Sequence, residues 1–346
     1  MNRRWICTDV WMDIFPFFDR AQLGLKMALL SDRFNALVNK HFDGKSELTI
    51  WRIIRIGMNE GPKPILYVYG KLGAFPLPDR PLPNKIRFMD IRIEYIDHSV
   101  ITFLRSNKQI WDRSGTKLEL NLYSSYLNVQ PIWDAFTRQI WPIFTTSIRH
   151  LGILNRGKLD NSRRFISSTN LTDLDQLNSI DSGLLCPDSI CDDGPNATAE
   201  QILSKWLHIS SKDGQPKKLR FRYYLDPQNL EWLNNFRETF RRATSFFCQL
   251  HCSLFLFAST QIVPFELVNE RTKEKMTLKK VRPYERLLKR CPIIGETATD
   301  QWENDGNSNA NLNNVKFNFW GGSNCIGPLS PPVEKEDEEA DQSNAN

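Results

Sequence analysis

The sequence predicts a mixed α/β protein that begins with a helical segment, and three observations lead to this fold class. Apolar residues recur at helical spacing from Ile6 to Val38. Strand-like and helix-like segments then alternate up to residue 262, and from residue 299 the chain becomes rich in Asn, Gly and acidic side chains. With 346 residues, of which 40% are hydrophobic and 25% charged, the chain has room for two globular domains and a tail.

The first predicted helix begins after an N-cap at Thr8 or Asp9. Its apolar positions recur one and two turns apart, at Val10, Ile14, Phe17 and Phe18. Pro16 is expected to end this helix, because a proline inside a helix removes a backbone hydrogen bond.

Two further short helices are predicted before residue 39. Asp19 followed by Gln22 is typical of a capping box, and Ser31 or Asp32 can begin the third helix. A segment of this length cannot bury all of its apolar positions among three short helices. We therefore expect it to dock on the rest of the chain or on a partner.

The order of these residues resembles the F-box, the helical motif that binds the Skp-type adaptor of cullin-RING ubiquitin ligases. The anchor positions of the family are filled in order by Ile6, Asp9, Val10-Trp11, Ile14-Phe15, Phe17-Phe18, Leu23, Leu30-Ser31, Arg33-Phe34 and Leu37. The chain departs from the family at Cys7, where proline is usual, and at Phe18, where leucine is usual. On this resemblance residues 1–44 are an F-box.

The resemblance implies a non-catalytic substrate-recognition subunit of an E3 ubiquitin ligase of the Skp-cullin-F-box type. Its partners would be a Skp-type adaptor, through that adaptor a cullin, and a target protein for ubiquitination. The residues implied in adaptor binding are Ile6, Val10, Trp11, Ile14, Phe17, Leu23, Leu30 and Ser31. The alternative is an amphipathic helical segment packed on its own protein, since helical apolar stripes are most often core.

Residues 45–262 are predicted to be an irregular α/β domain that recognises the target. Its strand candidates are residues 47–56, 86–93, 117–122, 147–154, 171–180, 218–224 and 245–250. Helices are predicted between several of them, with a capping box at Thr198 and Gln201 and a helix start at Asp226-Pro227.

The strand centres are 26 to 44 residues apart, and residues 171–180 have the leucine spacing of a leucine-rich repeat. Many F-box proteins carry such repeats for substrate binding, so the resemblance implies a leucine-rich-repeat-like domain. The asparagine position of the repeat is missing and one spacing is long. An ordinary α/β or α+β domain is therefore the alternative.

Residues 263–298 are predicted to form a β-hairpin that caps this domain. Its strands would be Pro264–Val268 and Met276–Leu278, and Leu287-Leu288 could add another. The segment is similar to the C-terminal part of nematode-type F-box proteins. Residues 299–346 are predicted to be a disordered tail, Asn/Gly-rich at first and acidic at its end.

The sequence contains none of the common catalytic motifs. Phosphate-binding glycine-rich loops, the Gly-x-Ser-x-Gly elbow and the zincin motif are absent, and the five histidines are scattered singly. Cys248, His251 and Cys252 are the most metal-like group, but on a strand His251 would point away from the two cysteines. We predict no enzymatic activity, no cofactor and no metal.

The N-terminus has Asp9 and Asp13 where a signal peptide needs an uninterrupted apolar run. No stretch approaches the roughly 20 apolar residues of a membrane span. We expect a cytoplasmic or nuclear protein without membrane contact.

The net charge of +5 is unevenly distributed along the chain. Residues 331–346 contain six acidic residues and one lysine, whereas basic residues concentrate between Arg271 and Arg290. The sequence predicts a patch for acidic or phosphorylated targets, which comprises Arg271, Lys273, Lys275, Lys279, Lys280 and Arg282. The acidic tail would compete with such targets.

A second function class is a basic nucleic-acid-binding module. Residues 217–224 interleave basic and aromatic side chains, which can stack on single-stranded bases. The alternation of Leu219, Phe221 and Tyr223 is also that of the buried face of a strand, so a nucleic-acid partner is not favoured. A third class is a protein-interaction scaffold unrelated to ubiquitin.

Overall fold

The computed structural model describes most of the chain between Ile6 and Ser330. The described residues are 6–43, 49–51, 54–58, 63–68, 74–88, 90–122, 130–155, 171, 174, 176–183, 185–188, 192, 194, 196–209, 217–225, 230–243, 248–257, 262–293, 312–319 and 326–330. The predicted helix start at Asp226-Pro227 and the acidic residues 331–346 lie outside these ranges.

Short helical pieces make up the N-terminal unit, residues 6–43. They are α1 (Thr8–Ile14), a 3-10 turn (Phe15–Phe17), α2 (Arg20–Gln22), a π-helical turn (Leu23–Met27) and α3 (Asp32–Asp43). The predicted capping box is present, because Asp19 Oδ1 accepts from the Gln22 N–H at 3.2 Å and Gln22 Oε1 accepts from the Asp19 N–H at 3.3 Å. Pro16 lies in the turn that follows α1.

The strands form two sheets of very different size. They are β1 (Thr49–Trp51), β2 (Ile54–Met58), β3 (Pro64–Val68), β4 (Ala74–Pro76), β5 (Ile86–Phe88), β6 (Ile91–Ile93), β7 (Thr116–Leu122), β8 (Ile148–Asn155), β9 (Ser179–Asp181), β10 (Lys217–Leu225), β11 (Cys248–Leu256), β12 (Phe265–Asn269), β13 (Glu274–Arg282), β14 (Glu285–Pro292) and β15 (Asn313–Phe319). β1 pairs with β5, and the others form one 13-stranded sheet in the order β12-β13-β14-β11-β10-β9-β8-β7-β15-β6-β2-β3-β4. The predicted mixed α/β class is therefore confirmed.

The middle of the large sheet is parallel, and helices connect several of its strands. From β2 through β6, β15, β7, β8, β9 and β10 to β11, every neighbouring pair runs in the same direction. Parallel neighbours need crossover connections, which are usually helical. These helices are α4 (His98–Ser106), α5 (Lys108–Ser114), α6 (Gln130–Ala135), a π-helical turn (Phe136–Ile140), α7 (Trp141–Phe144), α8 (Ala199–His208) and α9 (Leu230–Arg242).

Alternate residues of the parallel strands point to opposite faces of the sheet. In β10, Phe221 and Tyr223 pack against Trp232 of α9, with ring centroids 6.1 and 4.7 Å apart. Arg220 and Arg222 alternate with them and are exposed. We call the face that carries Arg220 and Arg222 the polar face of the sheet.

The leucine-spaced segment at residues 171–180 is a strand only at its end, in β9, so the prediction of a long strand there is wrong. The Leu174 N–H donates to Leu171 O at 3.4 Å, and the Leu177 N–H donates to Leu174 O at 3.0 Å. Bonds between residues three apart are those of successive turns. All three leucines are buried. Their spacing of three therefore places them on the same, buried side of these turns.

The prediction of disorder from residue 299 is wrong for residues 313–319. These residues form β15, which lies between β6 and β7 in the parallel part of the sheet. Val315, Phe317 and Phe319 are buried, and Phe317 meets Phe136 edge-on at 5.3 Å. The strand is held by its alternating apolar residues, as any central strand is.

The predicted C-terminal hairpin is present and is extended by a third strand. β12 pairs with β13, and β13 with β14, all antiparallel. β14 continues onto β11 and so joins the hairpin to the parallel strands. On β13 and β14, Glu274 and Arg290 form a buried bidentate pair with N–O distances of 2.8 and 2.7 Å.

The N-terminal unit contacts the loop before β5. Lys85 lies 3.0 Å from the Asp43 carboxylate, and the Asn84 N–H donates to Asn39 Oδ1 at 3.1 Å. These polar contacts involve α3. In addition, Lys26 of the π-helical turn lies over the Phe75 ring of β4, with its Nζ 5.2 Å from the ring centroid. The unit is therefore attached through α3 and through the turn that precedes it.

Candidate functional site

The residues implied in adaptor binding divide into exposed and packed groups. The exposed apolar side chains, with their exposed fractions, are Ile6 at 47%, Val10 at 43%, Phe17 at 88% and Leu30 at 63%. Phe18, which is not among the eight implied residues, is 36% exposed. We call these five side chains the apolar patch of the N-terminal unit. Isolated exposed apolar residues are ordinary, but a group of large ones in one short unit is typical of a contact surface.

The other four implied residues hold the unit together. Leu23 is buried at 1% exposure, and Trp11 packs edge-on against Phe34 with ring centroids 4.9 Å apart. Ile14 is half-buried, and Ser31 Oγ accepts from the Phe34 N–H at 3.3 Å, which caps α3. Sequence order identified both groups together, because a helical stripe does not distinguish its packed residues from its exposed ones.

The entry to α1 is fixed without the proline that is usual in an F-box. Arg33 Nη2 donates to the carbonyl of Ile6 at 2.7 Å and ties the first described residue to α3. Cys7 occupies the N-cap position in an extended conformation without a capping hydrogen bond from its side chain. This hydrogen bond therefore fixes the start of α1 relative to α3.

The six basic residues predicted as a patch do not lie together on one face. Lys279 and Lys280 are consecutive in β13 and point to opposite faces. Lys273 lies 3.0 Å from Glu270, and Lys275 lies 3.1 Å from Glu266. Of the others, Arg282 is 3.7 Å from Glu285, and Arg271 lies in the turn between β12 and β13. Residues that are close together in the sequence are therefore distributed over both faces of β13 and the turn that precedes it.

The polar face instead collects basic side chains from three strands, β10, β14 and β13, with β11 between β10 and β14. The residues are Lys218, Arg220 and Arg222 of β10, Lys289 of β14 and Lys279 of β13, and we call them the basic face. Arg220 lies in one register row with His251 and Lys289, and Arg222 in the next row with Ser253, Leu287 and Lys279. Tyr224 continues the alternation and stacks on Phe255 at 5.4 Å. In the sequence, this surface is indicated by the even-numbered residues of β10, which alternate with the apolar ones.

The polar face of β6, β15 and β7 also carries basic residues, but there they are matched by carboxylates. Asp90 lies 3.2 Å from Arg92 and 3.6 Å from Lys316. Glu119 lies 2.8 Å from Lys117 and 3.9 Å from Lys316. This half of the face is therefore close to electrically balanced.

The boundary between the two halves contains two titratable groups. Burial, followed by the charges of Lys117 and Arg220, lowers the pKa of His150 to about 3, so its imidazole is neutral at physiological pH. Burial raises the pKa of Asp181, against a hydrogen bond from the Gly183 N–H and the attraction of Arg220 and Arg222. Neither group adds positive charge to the basic face.

The described residues contain no group of three or more His, Cys, Asp or Glu side chains that could hold a metal ion. Cys252 lies in the buried face of β11, where burial raises the pKa of its thiol well above the ordinary value. A cavity of about 670 Å³ lies between the start of α8 and Trp232 of α9, lined by Cys186, Pro187, Asp188, Ala197, Thr198, Ala199, Glu200 and Trp232.

Comparison with protein-family models, curated proteins and solved structures finds no match for this chain. Among the described helices, none combines the length and the apolar character that crossing a membrane requires. The function must therefore be argued from the two surfaces themselves, the apolar patch and the basic face.

Proposed function

We infer that this chain is a substrate-recognition subunit of a Skp-cullin-F-box type ubiquitin ligase. In this proposal residues 1–44 bind a Skp-type adaptor and the α/β part of the chain binds a target protein. The chain itself performs no chemistry, since the ligase reaction would take place on its partners. The observation that carries the proposal is the apolar patch, which occupies F-box anchor positions and is not covered by the rest of the described chain.

A partner that covers the apolar patch would gain binding free energy from the apolar area that it buries. Each large apolar side chain that is fully buried contributes about 1.5–3 kcal/mol relative to its exposed state. Val10 and Leu30 are exposed by 43% and 63%, so both can lose most of their remaining contact with water in a complex. The packed residues Trp11 and Leu23 would support this surface rather than make the contact.

The α/β part suits a target-binding role by its architecture. Its consecutive strands β7, β8, β9, β10 and β11 are neighbours in the sheet, and described helices connect β7 to β8, β9 to β10 and β10 to β11. We extend the proposal to an irregular leucine-rich-repeat-like arrangement, in which each unit packs on the next. The face opposite the helices would then be available to a target.

The test is a pull-down of a purified Skp-type adaptor by the full chain. Val10→Asp with Leu30→Asp should reduce adaptor binding by at least about tenfold, because a charge in a desolvated contact is costly. Both positions are exposed, so the unfolding midpoint should not change.

The matched control is Val263→Asp with Val268→Asp, since these valines are 81% and 49% exposed and lie outside the N-terminal unit. This control should bind the adaptor like the wild type. Absence of binding by the wild type, or equal binding by the Val10/Leu30 variant, would overturn the proposal. Target capture without adaptor binding would favour a scaffold unrelated to ubiquitin.

A further inference from the structure

Exposed aromatic side chains collect at one end of the large sheet. In the described part of the chain outside the N-terminal unit, the aromatic side chains that are more than half exposed are Tyr224 at 52%, Phe257 at 54% and Tyr284 at 63%. Tyr224 stacks on Phe255 of β11, which is half-buried. We call these four side chains the aromatic edge. Single exposed rings are ordinary, but a group of them is typical of a binding surface.

Backbone pairing brings the four residues of the aromatic edge together. Tyr224 and Phe255 are register partners near the ends of β10 and β11, and their ring centroids are 5.4 Å apart. Phe257 follows β11 directly, and its N–H donates to the carbonyl of the last residue of β10 at 3.2 Å. Tyr284 lies in the turn between β13 and β14, and its carbonyl accepts from the N–H of the last residue of β11 at 2.8 Å. All four lie at the carboxyl end of β10 and β11, which is where open α/β sheets bind ligands.

Three exposed cations flank the aromatic edge on the polar face. The register row that contains Tyr224 ends at Arg282 of β13, and the row before it runs from Arg222 of β10 to Lys279 of β13. β10 and β13 are three strand spacings apart, so the cations stand about 14 Å apart with rings between them. These two rows contain three basic side chains and one carboxylate, that of Glu285, which lies 3.7 Å from Arg282. The surroundings of the rings are therefore positively charged.

The combination of exposed rings and cations suits single-stranded nucleic acid. Bases stack on aromatic side chains in a manner that tolerates any sequence, and cations attract the phosphates. Nucleic acid carries a flat aromatic group and a negative charge in every repeating unit, whereas a peptide combines the two only in particular sequences. Bases within a duplex are already stacked on one another, so the aromatic edge should prefer single strands.

The aromatic edge differs from the pattern of basic and aromatic residues seen at 217–224 in the sequence. Phe221 and Tyr223 of that pattern pack against Trp232 on the helix side of the sheet. Only its last residue, Tyr224, belongs to the aromatic edge. The other members come from β11 and the turn after β13, which reach this position because β14 pairs with β11.

We propose that the aromatic edge binds single-stranded nucleic acid, with bases stacked on its exposed rings and phosphates at the three flanking cations. This is a further function of the α/β part of the chain. It does not rest on the proposed adaptor binding, since the apolar patch belongs to the N-terminal unit. Val10→Asp with Leu30→Asp should therefore bind an oligonucleotide like the wild type, so the two proposals fail separately.

The first test uses a fluorescently labelled oligothymidylate of about 15 nucleotides, titrated with the full wild-type chain and read by anisotropy. Each phosphate contact contributes about −0.7 to the slope of log affinity against log salt concentration. Three contacts therefore predict about a 20-fold loss of affinity between about 50 and 200 mM salt. An unlabelled duplex of the same length should compete at least about tenfold less well than the unlabelled single strand. Absence of binding, or equal competition by the duplex, would overturn the proposal.

The second test removes two rings and keeps apolar side chains in their place, in the variant Phe257→Leu with Tyr284→Leu. Oligonucleotide affinity should fall at least about tenfold, because the bases lose their stacking partners, and the salt slope should stay unchanged. Both side chains are more than half exposed, so the unfolding midpoint should remain that of the wild type. If this variant does not fold, Phe257→Leu alone is the replacement.

The matched control for the ring variant is Val263→Ala with Val268→Ala, at exposed apolar positions just before and within β12. This control should bind the oligonucleotide like the wild type. A folded ring variant with wild-type affinity contradicts the proposal. So does a chain that binds no oligonucleotide but loses a protein target through the ring variant, because the aromatic edge is then a protein contact.

The third test concerns the cations. Lys279→Gln with Arg282→Gln should make the salt slope shallower by about 1.4, since two phosphate contacts are lost. Arg241→Gln with Arg242→Gln removes the same charge at exposed positions of α9 and should leave the slope unchanged. An equal change in both variants would show that affinity follows only the total charge of the chain, and this result would overturn the proposal.

Discussion

The N-terminal unit and the basic face expose their side chains for opposite physical reasons. In the N-terminal unit, short helical pieces present more apolar surface than they can bury among themselves, and Phe17 remains 88% exposed. On the basic face, a strand that is packed against helices on one side must present its alternate residues, such as Arg220 and Arg222, on the other. The apolar patch is exposed because the short N-terminal unit has too small a core to bury it. The basic face is exposed because side chains alternate between the two faces of a strand.

This difference determines how each surface can bind. Burial of apolar side chains is largely insensitive to salt, whereas attraction between exposed charges is screened beyond about 10 Å at 0.1 M salt. A partner on the apolar patch should therefore stay bound at high salt, and a partner on the basic face should dissociate. The variants below contrast a buried residue with an exposed neighbour in one region or the other.

The largest contrast is expected between Phe15 and Phe17 in the N-terminal unit. Phe15 is fully buried between Trp11 and His41, with ring centroids 6.1 and 5.6 Å away. Phe15→Ala should lower the free energy of unfolding of this unit by about 3–5 kcal/mol. Phe17→Ala should change it by less than about 0.5 kcal/mol. Urea denaturation followed by tryptophan fluorescence measures both, and a large effect of Phe17→Ala would mean that its side chain supports the fold.

The second contrast separates structural from exposed charge at the end of the sheet. Arg290 and Glu274 are 6% and 0% exposed, so Arg290→Met leaves an unpaired buried carboxylate and should cost about 3–5 kcal/mol. The double variant with Glu274→Met should recover much of this loss. Arg222→Ser, on the exposed side of β10, should cost less than about 0.5 kcal/mol. An Arg290→Met protein as stable as the wild type would show that the pair contributes little.

The smallest contrast is between Lys217 and Lys218, which point to opposite faces of β10. Burial lowers the pKa of Lys217 from 10.5 to about 8, although its Nζ donates to Trp206 O at 2.8 Å. Between these pH values the unfolded chain binds more protons at Lys217, so its contribution makes the folded state more stable as pH rises. Lys217→Met should remove this contribution and raise the free energy of unfolding at pH 7 by about 1–2 kcal/mol.

Lys218→Met is the control for this pH series, because Lys218 is half-buried on the polar face and shares the strand. The difference between wild type and Lys217→Met in denaturation curves from pH 7 to 11 isolates the contribution of Lys217 from other groups. A difference that does not change with pH would contradict the assigned burial effect.

Local signals in the sequence predicted local structure well. Asp19 with Gln22 and Thr198 with Gln201 both form the capping boxes expected from their spacing, since such boxes involve only residues three apart. The alternation in β10 also predicted its buried face, since Leu219 and Phe221 are buried and Tyr223 is half-buried there. The leucines at 171–177 led to the wrong prediction of a long strand, because a spacing of three also fits successive turns.

The basic face could not be predicted in full, because it depends on which strands become neighbours. Nine basic residues between Arg271 and Arg290 are conspicuous in the sequence, but the hairpin sends Lys279 and Lys280 to opposite faces. Lys289 shares a register row with Arg220 only because β14 pairs with β11, a long-range pairing without a local signature. β15 was hidden by the Asn-rich sequence around it, although Val315, Phe317 and Phe319 alternate as in any strand.

The insertion of β15 between β6 and β7 has a consequence for the order in which this protein folds. Asn313 Oδ1 accepts from the Phe88 N–H at 3.0 Å, and these two residues are 225 positions apart in the chain. During synthesis β6 and β7 emerge long before the strand that separates them, so they must wait as unpaired parallel edges or pair with each other incorrectly. Closing so long a loop is slow, and exposed edges promote aggregation while it proceeds. Ribosome-bound chains arrested before residue 313 should therefore be protease-sensitive in this region and become protected only after β15 has emerged.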